Sequence, residues 1–182
     1  ADLLGLETLN TLQLMSELES VEGRFQYLIS KNNITAIVDY AHTPDALKNV
    51  LETINTIRTK NEELITVVGC GGDRDISKRP KMGAIAATLS TKVIFTSDNP
   101  RNENPATIID AIEKGVPGEY FSKTISIPDR KQAIKAACQL ANEGDIILIA
   151  GKGHEIYQEI KGERFGFDDF KIINELLKAL NK

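Results

Sequence analysis

The stretch KVIFTSDNPRNENP, residues 92–105, joins an apolar, β-branched run to a polar loop. The run at 92–96 predicts a short buried strand. The polar residues that follow it therefore lie at the carboxyl end of a strand. Open α/β sheets bind their ligands at that end of their strands, so we expect this loop to be part of a binding site.

The side chains of this loop suit a ligand that carries both charges. Pro100 restricts the backbone, and Pro105 suits the first turn of a following helix. Asp98, Asn99 and Arg101 then offer a carboxylate, an amide and a guanidinium on a stiffened turn. These groups could bind an amino acid at both its ammonium and its carboxylate. Asn and Asp before Pro are also ordinary turn formers, so a purely structural loop is the alternative.

Strand-like and helix-like segments alternate outward from this stretch. We predict strands at 24–30, 35–38, 64–68, 92–96, 124–127 and 145–149, and an edge hairpin at 158–165. Predicted helices run from 44 or 45 to 58 and over 80–90, 106–114, 130–142 and 169–180. The alternation predicts an α/β, Rossmann-like domain of three layers. Its mostly parallel sheet has about six strands, and an antiparallel edge forms through a turn at Asn32-Asn33.

Loops rich in charged residues, histidine and glycine follow several of these strands. They cover residues 39–45, 69–75, 97–103 and 150–155. Since the carboxyl ends of parallel strands lie along one edge of a sheet, we expect these loops to meet there. The glycine-rich run at 69–72 is a possible anion site, but such turns are common without a ligand.

Composition excludes several classes of protein. The 182 residues are 41% hydrophobic and 26% charged with a net charge of −4, which favours one globular domain and no general affinity for nucleic acid or acidic membranes. No apolar run approaches the ~18 residues of a membrane span, and no signal peptide is recognisable. Cys70 and Cys138 fit no metal or disulfide spacing, so we predict small core residues.

The motifs together resemble a known family. They are Asp39-Tyr40-Ala41-His42-Thr43-Pro44, Gly71-Gly72-Asp73-Arg74-Asp75 with Lys78-Arg79-Pro80, Asp98-Asn99-Pro100-Arg101, and Gly151-Lys152-Gly153-His154-Glu155. In this order and spacing they resemble the C-terminal domain of the Mur ligases. The similarity is greatest to those that add meso-diaminopimelate to UDP-N-acetylmuramoyl-L-alanyl-D-glutamate.

The resemblance implies an ATP-dependent, amide-forming ligase of cytoplasmic peptidoglycan synthesis that works through an acyl phosphate. It implies that Arg74 and Arg101 bind a diaminopimelate carboxylate. It also implies that the amino acid is surrounded by Asp98, Asn99, Pro100, Gly151 and Glu155. Diaminopimelate differs from lysine by one carboxylate, and a fixed guanidinium discriminates because lysine leaves it unpaired.

Other implied features concern ATP and the missing parts of the enzyme. Arg24, Asp39 and His42 match positions near the nucleotide. The N-terminal domain for the UDP sugar and the central P-loop domain, to which most Mg²⁺ ligands belong, are absent, and we assign no metal ligand to this chain. Residues 1–20 are then the tail of a preceding domain or a linker helix, with leucines at a helical spacing over 3–18, and residues 21–182 are the C-terminal domain. We expect the chain alone to bind diaminopimelate weakly and to form no amide.

Two rival hypotheses remain open. The first is a relative with the same domain, such as a lysine-adding Mur ligase, a folylpolyglutamate synthase or a cyanophycin-type ligase. The second is a nucleotide-binding or receiver-like module. Arg101 distinguishes diaminopimelate from lysine, and stabilisation by nucleotides would distinguish the second class.

Overall fold

The computed structural model describes residues 23–59 and 61–182, so the predicted helical pattern at 3–18 lies outside the described residues. The strands are β1 (Gln26–Ile29), β2 (Thr35–Asp39), β3 (Leu64–Val68), β4 (Lys92–Phe95), β5 (Thr124–Ser126), β6 (Ile146–Ala150), β7 (Tyr157–Ile160) and β8 (Glu163–Gly166). The helices are α1 (Pro44–Ile57), α2 (Lys78–Leu89), α3 (Pro105–Glu113), α4 (Arg130–Leu140) and α5 (Asp169–Ala179), with a 3₁₀ helix at Gly118–Lys123.

A six-stranded sheet forms the middle layer, in the order β1-β2-β6-β3-β4-β5. Strand β1 is antiparallel to β2, and the strands from β2 to β5 are parallel. Strand β6 inserts between β2 and β3, pairing Ile149 with Val38 on one side and with Val67 on the other. The predicted α/β fold, the mostly parallel sheet and its antiparallel edge are confirmed.

Helices cover both faces of this sheet because its central strands are apolar on both sides. All five residues of β3 and of β6 are buried. On one face, side chains such as Val68 and Phe95 pack with α1, α2 and α3. On the other face, side chains such as Val67 and Ile147 pack with α4 and α5. Buried apolar area, worth ~25 cal/mol per Å², stabilises this arrangement.

Two helices that lead away from the carboxyl edge begin with matched caps. Thr43 accepts a hydrogen bond from the Ala46 N–H at 3.3 Å ahead of α1. Asn104 accepts one from the Ala106 N–H at 2.9 Å ahead of α3. Both helices have proline in the first turn, as predicted, where a missing N–H costs nothing. The caps fix where the preceding loops end.

Three predicted elements differ from the structure. Strand β1 starts at Gln26, because Phe25 has a φ of +47° that extended strands do not allow. No helix is predicted between 114 and 124, where the structure forms the 3₁₀ helix. The hairpin predicted at the sheet edge is wrong in its placement, because β7 and β8 form a separate two-stranded sheet. That hairpin lies over the loop after β4, where an isolated bridge joins Ile160 to Arg101.

The cysteines are free and buried, as predicted. Burial raises the pKa of each of the Cys70 and Cys138 thiols to about 12, so neither is a reactive thiolate near neutral pH. Among the described helices, none has both the length and the apolar character needed to cross a bilayer.

Candidate functional site

The predicted loops meet at the carboxyl edge of the sheet. They follow β2, β6, β3 and β4, which are adjacent in that order. Between them lies a cleft of about 450 Å³. It is lined by Tyr40, His42, Thr43, Pro44, Gly71, Arg74, Asp75, Lys78, Asp98, Asn99, Arg101, Gly151 and Glu155.

Six of the residues predicted to surround the amino acid line this cleft: Arg74, Asp98, Asn99, Arg101, Gly151 and Glu155. Their exposure differs. Arg74 is exposed, whereas Asp98 is 6% and Asn99 3% exposed. Pro100 is buried and is not part of the lining; its carbonyl accepts a hydrogen bond from the Glu103 N–H at 3.0 Å. Its assignment to the ligand stays a prediction.

Lys152 is the centre of a buried polar cluster at the base of the cleft. Its side chain is fully buried, and its Nζ lies 3.0 Å from Asn99 Oδ1, 3.3 Å from Glu155 Oε2 and 4.0 Å from Asp98 Oδ1. Asn99 Nδ2 also donates to Glu155 Oε2 at 2.8 Å. A buried ammonium is tolerated only when such partners compensate its lost hydration. The lysine therefore holds the two predicted carboxylates in one place.

The carboxylate of Asp98 is tightly enclosed. Burial raises its pKa, and the charges of Arg130 and Lys152 oppose that rise. Gly151 has a φ of +119°, and a Cβ there would lie 2.6 Å from Asp98 Oδ2. Glycine is therefore required at 151 both by the backbone conformation and by the close approach of this oxygen.

A second buried ion pair lies directly below the cleft. Arg130 and Asp169 are both fully buried, with Nε–Oδ1 and Nη2–Oδ2 distances of 2.9 and 2.8 Å. The same guanidinium donates to the carbonyl of Ser97 at 3.2 Å and to that of Ala150 at 3.1 Å. These carbonyls immediately precede Asp98 and Gly151. Arg130 thus joins the ends of β4 and β6 to both helices of one face.

The loops after β3 and β4 are cross-linked to each other. Gly72 N–H donates to the carbonyl of Asn99 at 2.8 Å, so this N–H is not available to an anion in the glycine-rich turn. Glu103 accepts from Arg79 Nη2 at 2.7 Å and from the Asp73 N–H at 2.6 Å. The Arg79 hydrogen bond lowers the pKa of the Glu103 carboxyl. These contacts hold the two loops at a fixed separation.

The residues predicted near ATP lie on the β1–β2 side of the edge. Arg24 is exposed, with its guanidinium carbon 5.8 Å from the centre of the Tyr40 ring. His42 is exposed, lines the cleft and stacks obliquely on Tyr40 with ring centres 4.5 Å apart. Asp39 accepts from the Phe25 N–H at 2.8 Å, which positions β1. Neither Arg24 nor Asp39 lines the cleft described above.

Several residues at this edge escaped the sequence-based prediction. No role was predicted for Lys152, although it lies within the motif of residues 151–155. The glycines on both sides of it were the signal that could have drawn attention to it. Arg130, Asp169 and Glu159 lie in segments that look like ordinary helix starts and a hairpin. Within residues 23–59 and 61–182, no group of three or more His, Cys, Asp or Glu side chains is arranged to hold a metal ion. The described residues therefore do not fit Mg²⁺ by themselves.

Comparison with known proteins points to one family. The family "Mur ligase, glutamate ligase domain" matches residues 23–153. UDP-N-acetylmuramoyl-L-alanyl-D-glutamate–2,6-diaminopimelate ligase of Cytophaga hutchinsonii is 57% identical over 182 residues, which are 100% of this chain and 37% of that protein. A solved structure of a UDP-N-acetylmuramoyl-L-alanyl-D-glutamate–2,6-diaminopimelate ligase is 39% identical with a TM-score of 0.82, covering 100% of this chain and 37% of that one.

A more distant solved structure has a similar fold. The bifunctional folylpolyglutamate synthase/dihydrofolate synthase of Yersinia pestis is 18% identical with a TM-score of 0.56, over 91% of this chain and 32% of that one. This likeness shows a shared fold alone. The chain spans little more than a third of the length of the relatives it matches. Through the match at residues 23–153, the chain belongs to the Mur ligase family.

Proposed function

We propose that this chain is the amino-acid-binding domain of an ATP-dependent ligase that adds meso-diaminopimelate to UDP-N-acetylmuramoyl-L-alanyl-D-glutamate. The names of its relatives support the proposal. The observation that carries it is the charge pattern of one cleft, where Arg74 and Arg101 lie beside Asp98 and Glu155. Diaminopimelate carries two ammonium groups and two carboxylates, and this cleft offers both kinds of partner.

Each charged group has a specific part in the proposal. The guanidiniums of Arg101 and Arg74 receive the carboxylate that lysine lacks. The carboxylates of Asp98 and Glu155 receive the ammonium at the same end of the ligand. Asn99 orients Glu155 with one N–H of its amide and accepts from Lys152 and the Glu159 N–H at Oδ1, so the second N–H of Nδ2 is its group for the ligand. The other amine of the ligand is then directed out of the cleft as the nucleophile.

The reaction requires groups beyond this domain. ATP supplies the phosphoryl group that turns the D-glutamate carboxylate into an acyl phosphate; the amine attacks its carbonyl carbon, a proton is lost and phosphate leaves. We assign Arg24, Asp39 and His42 to the nucleotide side. The exposed Arg24 guanidinium suits a phosphate. Asp39 uses its Oδ2 to accept from the Phe25 N–H, and we assign its Oδ1 to the nucleotide. No residue of this chain is assigned to Mg²⁺.

The proposal also covers the rest of the protein. Residues 21–182 form the amino-acid-binding domain, and residues 1–20 are the end of the region before it. The UDP-linked dipeptide would be bound by domains outside this chain. A cytoplasmic location follows from the use of ATP and a UDP-linked precursor, with neither nucleic acid nor membrane as a partner.

Isothermal titration calorimetry of the chain with meso-diaminopimelate and with L-lysine tests the proposal. We expect wild type to prefer diaminopimelate and Arg101→Ala to lose about tenfold or more of that preference, since a charge-assisted pair is worth ~1.5–3 kcal/mol. Arg164→Ala is the matched control, because Arg164 is exposed, packs on Tyr157 and does not line the cleft. Tighter binding of lysine by wild type would favour the lysine-adding alternative, and an unchanged preference in Arg101→Ala would refute the assignment.

A second measurement concerns turnover. We expect the 182-residue chain to release no ADP when it is given ATP, diaminopimelate and the UDP-linked dipeptide. Sustained ADP release by this chain would contradict the division of labour between this domain and the missing ones.

A further inference from the structure

The hairpin of β7 and β8 is attached to the loop that carries Arg101. The Arg101 N–H donates to the carbonyl of Glu159 at 3.0 Å, and the Lys161 N–H donates to the carbonyl of Arg101 at 2.8 Å. Arg101 has a φ of +50°, an uncommon conformation for a residue with a side chain. The hairpin thus holds the backbone of the loop in a shape that the loop alone does not favour.

Side chains of the same two segments add further contacts. The Glu159 N–H donates to Asn99 Oδ1 at 2.9 Å, and Gln158 Nε2 donates to the carbonyl of Asp98 at 2.7 Å. Residues 98, 99 and 101 of the cleft are therefore each bonded to the hairpin. On its other side the loop is bonded to Gly72. The loop after β4 is therefore held on one side by the glycine-rich turn after β3 and on the other by the hairpin.

The guanidinium of Arg101 is held from two directions. Its Nε lies 3.3 Å from Glu159 Oε2, and its Nη1 donates to the carbonyl of Gly72 at 2.8 Å. In the described part of the chain no acceptor is hydrogen-bonded to Nη2. Of the five N–H donors of an arginine, three therefore have no protein partner among the described residues: one on Nη1 and both on Nη2. The side chain is 19% exposed and lines the cleft.

We propose that Glu159 is a specificity-positioning residue. It holds the Nε side of Arg101, so that the remaining N–H groups on Nη1 and Nη2 are already positioned for the carboxylate that distinguishes diaminopimelate from lysine. This inference rests on the proposed function. Fixing a long side chain before the ligand arrives removes an ordering cost from binding, and only a ligand with that carboxylate benefits.

The test compares Glu159→Gln with Glu163→Gln by calorimetry of the chain with meso-diaminopimelate and L-lysine. Both substitutions remove one carboxylate from the same hairpin and keep the side-chain shape, but Glu163 is exposed and does not contact Arg101. We expect diaminopimelate affinity to fall about tenfold in Glu159→Gln with lysine affinity unchanged, and no change in Glu163→Gln. Equal selectivity in Glu159→Gln and wild type would overturn the inference.

A second readout does not need a ligand. In a spectrum of ¹⁵N-arginine-labelled chain, the Nε–H signal of Arg101, assigned by its absence in Arg101→Lys, should shift and exchange faster with water in Glu159→Gln but not in Glu163→Gln. An unchanged signal in Glu159→Gln overturns the inference even if wild type selects diaminopimelate. A wild type without any preference overturns the proposed function instead, whatever this signal shows.

Discussion

The loop after β4 and the loop after β2 lie at the same edge of the sheet but are held very differently. Asp98, Asn99 and Arg101 in the first loop are bonded to Lys152, to the hairpin and to the glycine-rich turn. Arg24 and His42, on the β2 side, are exposed. The loop after β4 is thus held by contacts within this domain, whereas Arg24 and His42 on the β2 side are open to solvent.

Removing the arginine beneath the β4 loop should give the largest effect on stability. In Arg130→Met the Asp169 carboxylate stays buried without its cation, which costs about 3–5 kcal/mol of the free energy of unfolding. Urea denaturation at pH 7 measures it. Lys48→Met, in an exposed pair with Glu52, should change stability by less than about 0.5 kcal/mol. A double variant Arg130→Met/Asp169→Leu should recover much of the loss, and a loss below that of the Lys48 control would contradict this account.

Lys152→Met removes the buried ammonium at the floor of the cleft. Two acidic side chains lose their buried cation, and we expect a loss of about 1–3 kcal/mol in the free energy of unfolding. The pKa of Asp98, already raised by burial, should rise further. A raised folded-state pKa gives stability that is present at low pH and lost as pH rises, so the deficit should be larger at pH 7 than at pH 4.

Denaturation of Lys152→Met and wild type at those two pH values provides the check. The exposed Lys81→Met serves as the control and should show no deficit at either pH. A deficit in Lys152→Met that shrank as the pH rose would argue against the buried carboxylates as its cause.

Glu103→Gln tests the cross-link between the loops after β3 and β4. Because Arg79 lowers the pKa of Glu103, the ionised carboxylate stabilises the fold above its unfolded pKa of about 4.5. That contribution disappears as pH falls through the lower folded value. The variant should be about 1 kcal/mol less stable at pH 7, and its stability should fall less than that of wild type in acid. The exposed Glu175→Gln should follow wild type throughout.

The smallest effect is expected on the β2 side. Arg24→Ala removes an exposed side chain whose recorded contact is with the Tyr40 ring, so the free energy of unfolding should change by less than about 0.5 kcal/mol. Thermal or urea denaturation suffices to measure it. If Arg24→Ala cost as much as Lys152→Met, the two sides of the edge would not differ in the way described.

Prediction from sequence succeeded where the pattern is local. The strands at 64–68 and 92–95 and the starts of α1 and α3 at or beside a proline were predicted from the sequence, because apolar periodicity and the preference of proline for a first helical turn depend on neighbouring residues. The meeting of the four loops also followed from strand direction alone. The position of the β7–β8 hairpin was not predicted. Its residues are exposed or half-buried, and such a pattern does not indicate which part of the protein the hairpin packs on.

The sequence alone determined the alternating α/β architecture and the set of charged residues offered at one edge, because both follow from short-range periodicity and from motif order. Only the tertiary structure decided which of those charges are free for a ligand. Arg79 and Arg130 are neutralised by Glu103 and Asp169, and one N–H of the Asn99 amide is used within the protein. Pairing between residues 24 to 56 positions apart depends on how the chain packs in three dimensions, and no local pattern encodes it.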